Sequence, residues 1–258
     1  MKSSSLSNNT LGVCYNKGKL LQKIRRRQDV EELKKRVGHE AVKYVESNMT
    51  VGLGTGSTAY WFIDELGRRL KEGTLTNIQA VPTSNRSKEQ AKELGIPLVE
   101  LDQVDHIDVL VDGADECTLK HFEGIKGGGG ALLHEKIVAQ NSRQIIWILD
   151  ESKIVKELGA FPLPIEVIPF GSWRLFKKLE QAGFHPAFRM QSDDSLFITD
   201  SGNYIIDLHL KSIPYPPQLA HELKSAVGIV EHGLFLNYAD IVLVGRSNGN
   251  VQTFKKES

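Results

Sequence analysis

Four short, almost uninterrupted apolar runs constrain this chain more than anything else in it: Val51–Leu53, Val109–Val111, Ile145–Leu149 and Ile241–Val244. A strand that is apolar on both sides of its pleat needs cover on both faces, which is the habit of a parallel sheet flanked by helices. The intervening segments agree. In "DVEELKKRVGHEAVKYV" Val30, Leu33, Val37, Ala41 and Val45 recur three or four apart, as on one face of a helix. "STAYWFIDELGRRL" reads as a second helix with Ser57 as its N-cap, "NRSKEQAKELG" as a polar third and "ALLHEKIVAQ" as a fourth. "NIQAVPTS" and "PLVEL" read as further strands. Strand and helix in alternation predict an α/β fold with a doubly wound, mostly parallel, Rossmann-like sheet.

The pattern changes after Leu158. "LPIEVIPF", "WRLFKKLEQAGF", "HPAFRM" and "LFITDSGNYIIDLHL" read as strand, helix, strand and a hairpin turning at "DSGN", followed by a helix near Pro217–Val227. The expected organisation is a catalytic domain of residues 29–160 plus 230–258, and a smaller α+β domain of 161–229. Residues 1–28 carry no Asp or Glu and end in a basic run, which reads as a disordered leader, with a transit peptide as the alternative.

Charge and cysteine content exclude several classes. Lys plus Arg and Asp plus Glu each number 32, so no global field draws nucleic acid or an anionic membrane. No apolar run approaches the ~20 residues of a membrane span. Cys14 and Cys117 match no metal-ligand or disulfide spacing, and a reducing, cytoplasmic setting is expected.

Three loops carry chemistry. "VGLGTGSTA" lies between a strand and a helix, where glycines admit an anion to backbone amides and the helix N-terminus attracts it. Ser57 stands where a dinucleotide fingerprint needs glycine, and no lysine follows as a P-loop needs, so phosphate is the expected guest rather than a nucleotide. "VDGAD" sets Asp112 and Asp115 beyond the end of a strand, where open α/β sheets bind ligands. Two carboxylates there could hold sugar hydroxyls, move protons or ligate a metal, although only His106 is near enough in sequence to join them; plain turn chemistry is the alternative. "IKGGGGALLHEK" places Lys126 before Gly127, Gly128, Gly129 and Gly130, with Glu135 in the second turn of the helix that follows. Glycine amides and a lysine can hold an oxyanion while a carboxylate removes a neighbouring C–H proton. Taken alone, Glu135 has a plainer reading as an exposed helix residue.

Together "GLGTGSTA", "VDGADE", "KGGGGALLHEKIVA", "DESK", "FPLPIEVIPFG", "TDSGNYIIDL" and "GIVEHGLFLNYAD", in this order from Asp29 onward, resemble the type A ribose-5-phosphate isomerase family. The resemblance implies interconversion of D-ribose 5-phosphate and D-ribulose 5-phosphate in the non-oxidative pentose phosphate pathway. It implies a small-molecule substrate, no metal, no other cofactor, and a homodimer or homotetramer. By motif match it makes Glu135 the base that works through an enediolate, Asp112 and Asp115 the pair that binds the sugar and assists ring opening, and Lys126 the stabiliser of negative charge. Thr55, Gly56, Ser57, Thr58, Gly113, Ala114, Gly127, Gly128, Gly129 and Lys153 are implied substrate contacts, with Lys34 a phosphate contact. His134 stands where the family often has Arg or Gln. Two other readings compete: a sugar-phosphate sensor without turnover, and a CoA transferase whose glutamate forms a thioester.

Overall fold

The computed structural model describes residues 29–256; the leader reading of 1–28 and Cys14 lie outside them. In chain order come α1 (29–41), β1 (Thr50–Leu53), α2 (Ser57–Lys71), β2 (Gln79–Pro82), α3 (Asn85–Glu93), β3 (Ile107–Asp112), β4 (Glu116–Thr118), β5 (Glu123–Ile125), α4 (Leu132–Gln140) and β6 (Ser142–Asp150). Then follow β7 (Leu163–Val167), α5 (Ser172–Gln181), β8 (Pro186–Phe188), β9 (Tyr204–Leu208), α6 (Pro216–Ser225), β10 (Ile229–His232), β11 (Leu234–Phe235), β12 (Ile241–Gly245) and β13 (Val251–Lys255).

The apolar runs assemble as expected. A six-stranded sheet has the order β13-β12-β6-β3-β1-β2, parallel throughout except for the antiparallel β12–β13 pair. Successive strand residues point to opposite faces, so each run feeds two cores. Val109 and Val111 pack with Phe62, Ile63 and Leu66 of α2 on one face. Leu110, Trp147 and Leu149 pack with Val138 and Ala139 of α4 on the other. Phe62 is fully buried, a contribution of roughly 1.5–3 kcal/mol. The chain leaves β1 toward β2 on one side and returns to β3 on the other. The crevice beyond the carboxyl ends of β1 and β3 is therefore the switch point where such sheets take ligands.

An antiparallel sheet, β10-β7-β9-β8, forms a second unit. Its Leu163, Ile165, Ile206 and Leu208 share a core with Leu175 and Leu179 of α5 and Leu223 of α6. A third sheet, β11-β5-β4, joins the two cores: Ile125 and Leu234 face the small unit, while Cys117 and Phe235 face the large one. Burial pushes the Cys117 thiol up to about 12, which keeps it protonated and inert.

Three sequence expectations are corrected. "PLVEL" is not a strand. Leu98 makes one bridge to Ala80, Pro97 has no N–H to give a ladder, and Glu100 and Gln103 close a capping box on the 3-10 turn Leu101–Gln103. Ser57 is not an N-cap but the first residue of α2; Gly56, at φ 129°, is the cap and supplies no side chain. The first arm of the "DSGN" hairpin is reduced to the bridges Met190–Leu196 and Ile198–Tyr204.

Candidate active site

A cavity of about 330 Å³ opens at the switch point. Its lining comes from five places: Val30 and Lys34 of α1, Thr55 and Gly56 of the β1–α2 loop with Ser57 and Thr58 at the start of α2, the β3–β4 loop with Gly113, Ala114 and Asp115, the stretch Lys126–Gly129 with Glu135, and Asp150 at the end of β6 with Ser152 and Lys153 beyond it. The cavity is thus lined by every residue the resemblance implies as catalytic or substrate-binding except Asp112. His106 is not near them; it pairs with Asp108 at the other end of β3, at 3.0 Å. Among the described residues no group of three or more His, Cys, Asp or Glu side chains is placed to hold a metal ion.

The two aspartates do different things. Asp112 is fully buried under the cavity and does not line it. Its Oδ1 accepts from the amides of Thr55 (3.0 Å) and Gly113 (2.7 Å), and its Oδ2 lies 2.9 Å from Lys126 Nζ. A Cβ at Gly54 would sit 2.3 Å from Asp112 Oδ1, so only glycine lets the two loops meet this closely. Asp112 thus builds the floor beneath the cavity rather than its wall. Asp115 is on the wall, where its Oδ2 accepts from Gly128 N–H at 2.7 Å.

The glycine run is tight rather than slack. A Cβ at Gly127 would come within 2.8 Å of Leu132, one at Gly128 within 2.6 Å of Asp115, and one at Gly130 within 2.4 Å of Phe197. Gly127 and Gly130 also take φ of 105° and 79°, in the region that favours glycine. Lys126 enters from β5. Its amide donates to Gly233 O at 2.9 Å, Gly233 N–H donates to Pro164 O at 2.7 Å, and a Cβ at Gly233 would lie 2.3 Å from Lys126 O.

Lys126 Nζ donates to Gly113 O and to Glu135 Oε1, the latter at 3.1 Å. Glu135 is in the first turn of α4, not the second, and is 3% exposed; its Oε2 has no hydrogen-bond partner. Burial, aided by the charge of Asp112, outweighs Lys126 and pushes the Glu135 carboxyl up to about 8. Burial also raises Asp112 above the usual carboxylate range. For Lys126, burial opposes the ammonium, but Asp112 and Glu135 outweigh it and hold the amine above the ordinary lysine value. A carboxylate with a raised pKa, one free oxygen and a cationic neighbour is suited to accepting a proton near neutral pH.

At the loops nearer α1, Lys34 pairs with Glu31 at 2.8 Å, and Lys153 Nζ lies 5.8 Å from the Phe161 ring centroid. Thr55 Oγ1 is engaged in a hydroxyl cluster with Thr83 and Ser84, each at 2.7 Å. The bare N-terminus of α2 leaves its first amides without a side-chain cap, as an anion site requires.

A family model described as ribose 5-phosphate isomerase A (phosphoriboisomerase A) matches residues 79–249. The chain is 56% identical over 221 residues to ribose-5-phosphate isomerase A of Limosilactobacillus reuteri (strain DSM 20016), covering 86% of this chain and 96% of that protein. The chain belongs to the ribose-5-phosphate isomerase A family. The corresponding protein of Bifidobacterium adolescentis is 54% identical over 219 residues, covering 85% of this chain and 94% of its own length. Among solved structures, a D-ribose-5-phosphate isomerase in complex with phospho-erythronic acid superposes with a TM-score of 0.85 at 43% identity, covering 88% of this chain and 99% of its own. Ribose 5-phosphate isomerase of Plasmodium falciparum gives 0.84 at 37% identity, covering 88% and 100%.

The isomerase cavity also holds residues the sequence reading missed. Val30, Asp150 and Ser152 line it, and the Ser152 hydroxyl and amide both bind Asp150 Oδ1. The signal for Asp150 and Ser152 was the end of a buried strand, the same cue that marked Asp112 and Asp115. His134 bonds Ser201 Oγ at 2.9 Å and does not line the cavity.

Proposed function

We propose that this enzyme interconverts D-ribose 5-phosphate and D-ribulose 5-phosphate, with Glu135 carrying a proton between C2 and C1 through an enediolate. The observation that carries the reading is Glu135 itself: buried in the cavity wall, one oxygen on Lys126 and the other without a partner. Deprotonated, it removes the C2 proton of the open-chain aldose; the O2 proton passes to O1 of the enediolate, and Glu135 returns its proton to C1, leaving the C2 carbonyl of the ketose. Negative charge moves onto the carbonyl oxygen in this step, and Lys126 with the amide of Gly129 is the group of donors that would hold it. Asp115, on the wall, is the carboxylate for the sugar hydroxyls and for ring opening. Asp112 acts through Lys126 and Thr55, which it holds. The uncapped amides of Gly56, Ser57 and Thr58, with Lys34 and Lys153, form the phosphate end, whose binding energy is spent on orienting C1 and C2. No step calls on a metal or an organic cofactor. The non-oxidative pentose phosphate pathway, a cytoplasmic setting and a homodimer or homotetramer are the context the family resemblance supports; light scattering measures the last.

The test is Glu135→Gln with ribose 5-phosphate, following ketose formation. Turnover should fall by about 10²–10⁴ with KM little changed. Normal turnover by this variant would end the reading.

A further inference from the structure

We infer that Arg189, which lies in the small unit outside the cavity lining, is a positioning residue for the oxyanion-binding face of the glycine run. Arg189 follows β8 directly. Its Nη1 donates to Gly127 O at 2.7 Å and to Gly128 O at 3.1 Å. Its Nε donates to Asp207 Oδ2 at 3.0 Å, and its Nη2 donates to Asp207 Oδ1, so the guanidinium is held in a two-pronged grip by β9. Both side chains are largely buried, 15% and 18% exposed. The ring of Phe197, which packs against Gly130, lies 5.9 Å from the guanidinium carbon.

The consequence follows from the planarity of the trans peptide, which sets each N–H opposite the preceding C=O. With Gly127 C=O drawn to Arg189, Gly128 N–H faces the other way and meets Asp115 on the cavity wall. With Gly128 C=O drawn to the same guanidinium, Gly129 N–H is turned the same way, and Gly129 lines the cavity. The Gly127 carbonyl is also tied by Gly130 N–H at 2.9 Å, whereas Gly128 C=O is held by Arg189, and glycine has no steric reason of its own to keep that peptide in this sense. Lysine could not substitute, because a single ammonium cannot grip Asp207 with two parallel donors and also serve both carbonyls.

The inference rests on the reading that the Gly129 amide holds the developing oxyanion while Gly128 N–H keeps Asp115 in place. Arg189→Ala should lower kcat by about 10–10²-fold, up to the loss of one oxyanion donor, with KM changed less than about threefold, because the phosphate end is untouched. Guanidinium chloride at low, non-denaturing concentration should restore part of that kcat, whereas equal sodium chloride should not. Arg189→Lys, which keeps the charge and the stem, should lose kcat by at least about tenfold. Wild-type kcat in either variant, or a loss in Arg189→Ala that guanidinium leaves unchanged while the variant stays folded, overturns the inference. If Arg189→Ala does not fold, Arg189→Lys decides alone. Glu135→Gln assayed alongside separates the two ideas: if it keeps turnover the isomerase reading fails, and if it alone loses turnover only the role of Arg189 fails.

Discussion

Glu135 and Lys136 are consecutive residues of α4, equally buried, and they serve two charge clusters of opposite character. Glu135 shares one ammonium, Lys126, with a second carboxylate, Asp112, and Glu135 Oε2 lacks a hydrogen-bond partner. Lys136 has an acceptor for each of its three N–H groups, Glu231 Oε1 at 2.9 Å, His232 O at 2.6 Å and Leu234 O at 3.0 Å, while Lys224 takes the other Glu231 oxygen at 2.6 Å. The carboxyls diverge accordingly. Burial opposes ionisation of both, but Lys136 and Lys224 overcome it and hold Glu231 down at about 2, whereas Glu135 is left at about 8. Burial alone thus does not make a group reactive; too few partners per charge does. The satisfied cluster clamps α4 to β10 and β11, and the unsatisfied one is thereby held where its proton can be exchanged.

The largest effect that would test this contrast is on stability. Lys136→Met leaves Glu231 and two carbonyls without their buried donor and should cost about 3–5 kcal/mol, read from urea unfolding. An unchanged midpoint would mean the cluster is no clamp. The next concerns Glu135, whose folded pKa lies above its unfolded value. Its contribution to stability is intact below about 4.5 and is lost as pH rises through about 8. Glu135→Gln lacks this loss, so it should gain on the wild type by on the order of 1–3 kcal/mol between about pH 5 and about pH 9. A difference independent of pH would show that the carboxyl is not held neutral by its surroundings. The smallest effect is at Lys224, whose side chain is 55% exposed. Lys224→Met should cost under ~1 kcal/mol in the same assay; a cost near that of Lys136 would place the clamp at the surface instead.

How much of this was legible in the sequence depended on how local the signal was. The parallel sheet was, because Val109–Val111 and Ile145–Leu149 announce two-sided burial within a few residues. The gathering of Thr55, Asp115, Lys126 and Glu135 was legible too, since each stands just past an apolar strand, beside the glycine run or at a helix start. The sheet β11-β5-β4 was not: strands of two or three residues have no period, and Leu234 pairs with Ile125 across more than a hundred residues of chain. Asp112 and Asp115 look alike in "VDGAD", yet the close approach of Gly54, visible only in three dimensions, puts one under the floor and leaves the other on the wall. Arg189 gave no cue at all, because the groups it holds are backbone carbonyls some sixty residues earlier in the chain.

The crossing of Lys126 and Gly233 has a thermal consequence. It is made of main chain only, so no side chain there can rotate to absorb a shift between the two cores. Loosening of the antiparallel unit is therefore expected to displace Lys126 and with it the ion pairs to Asp112 and Glu135.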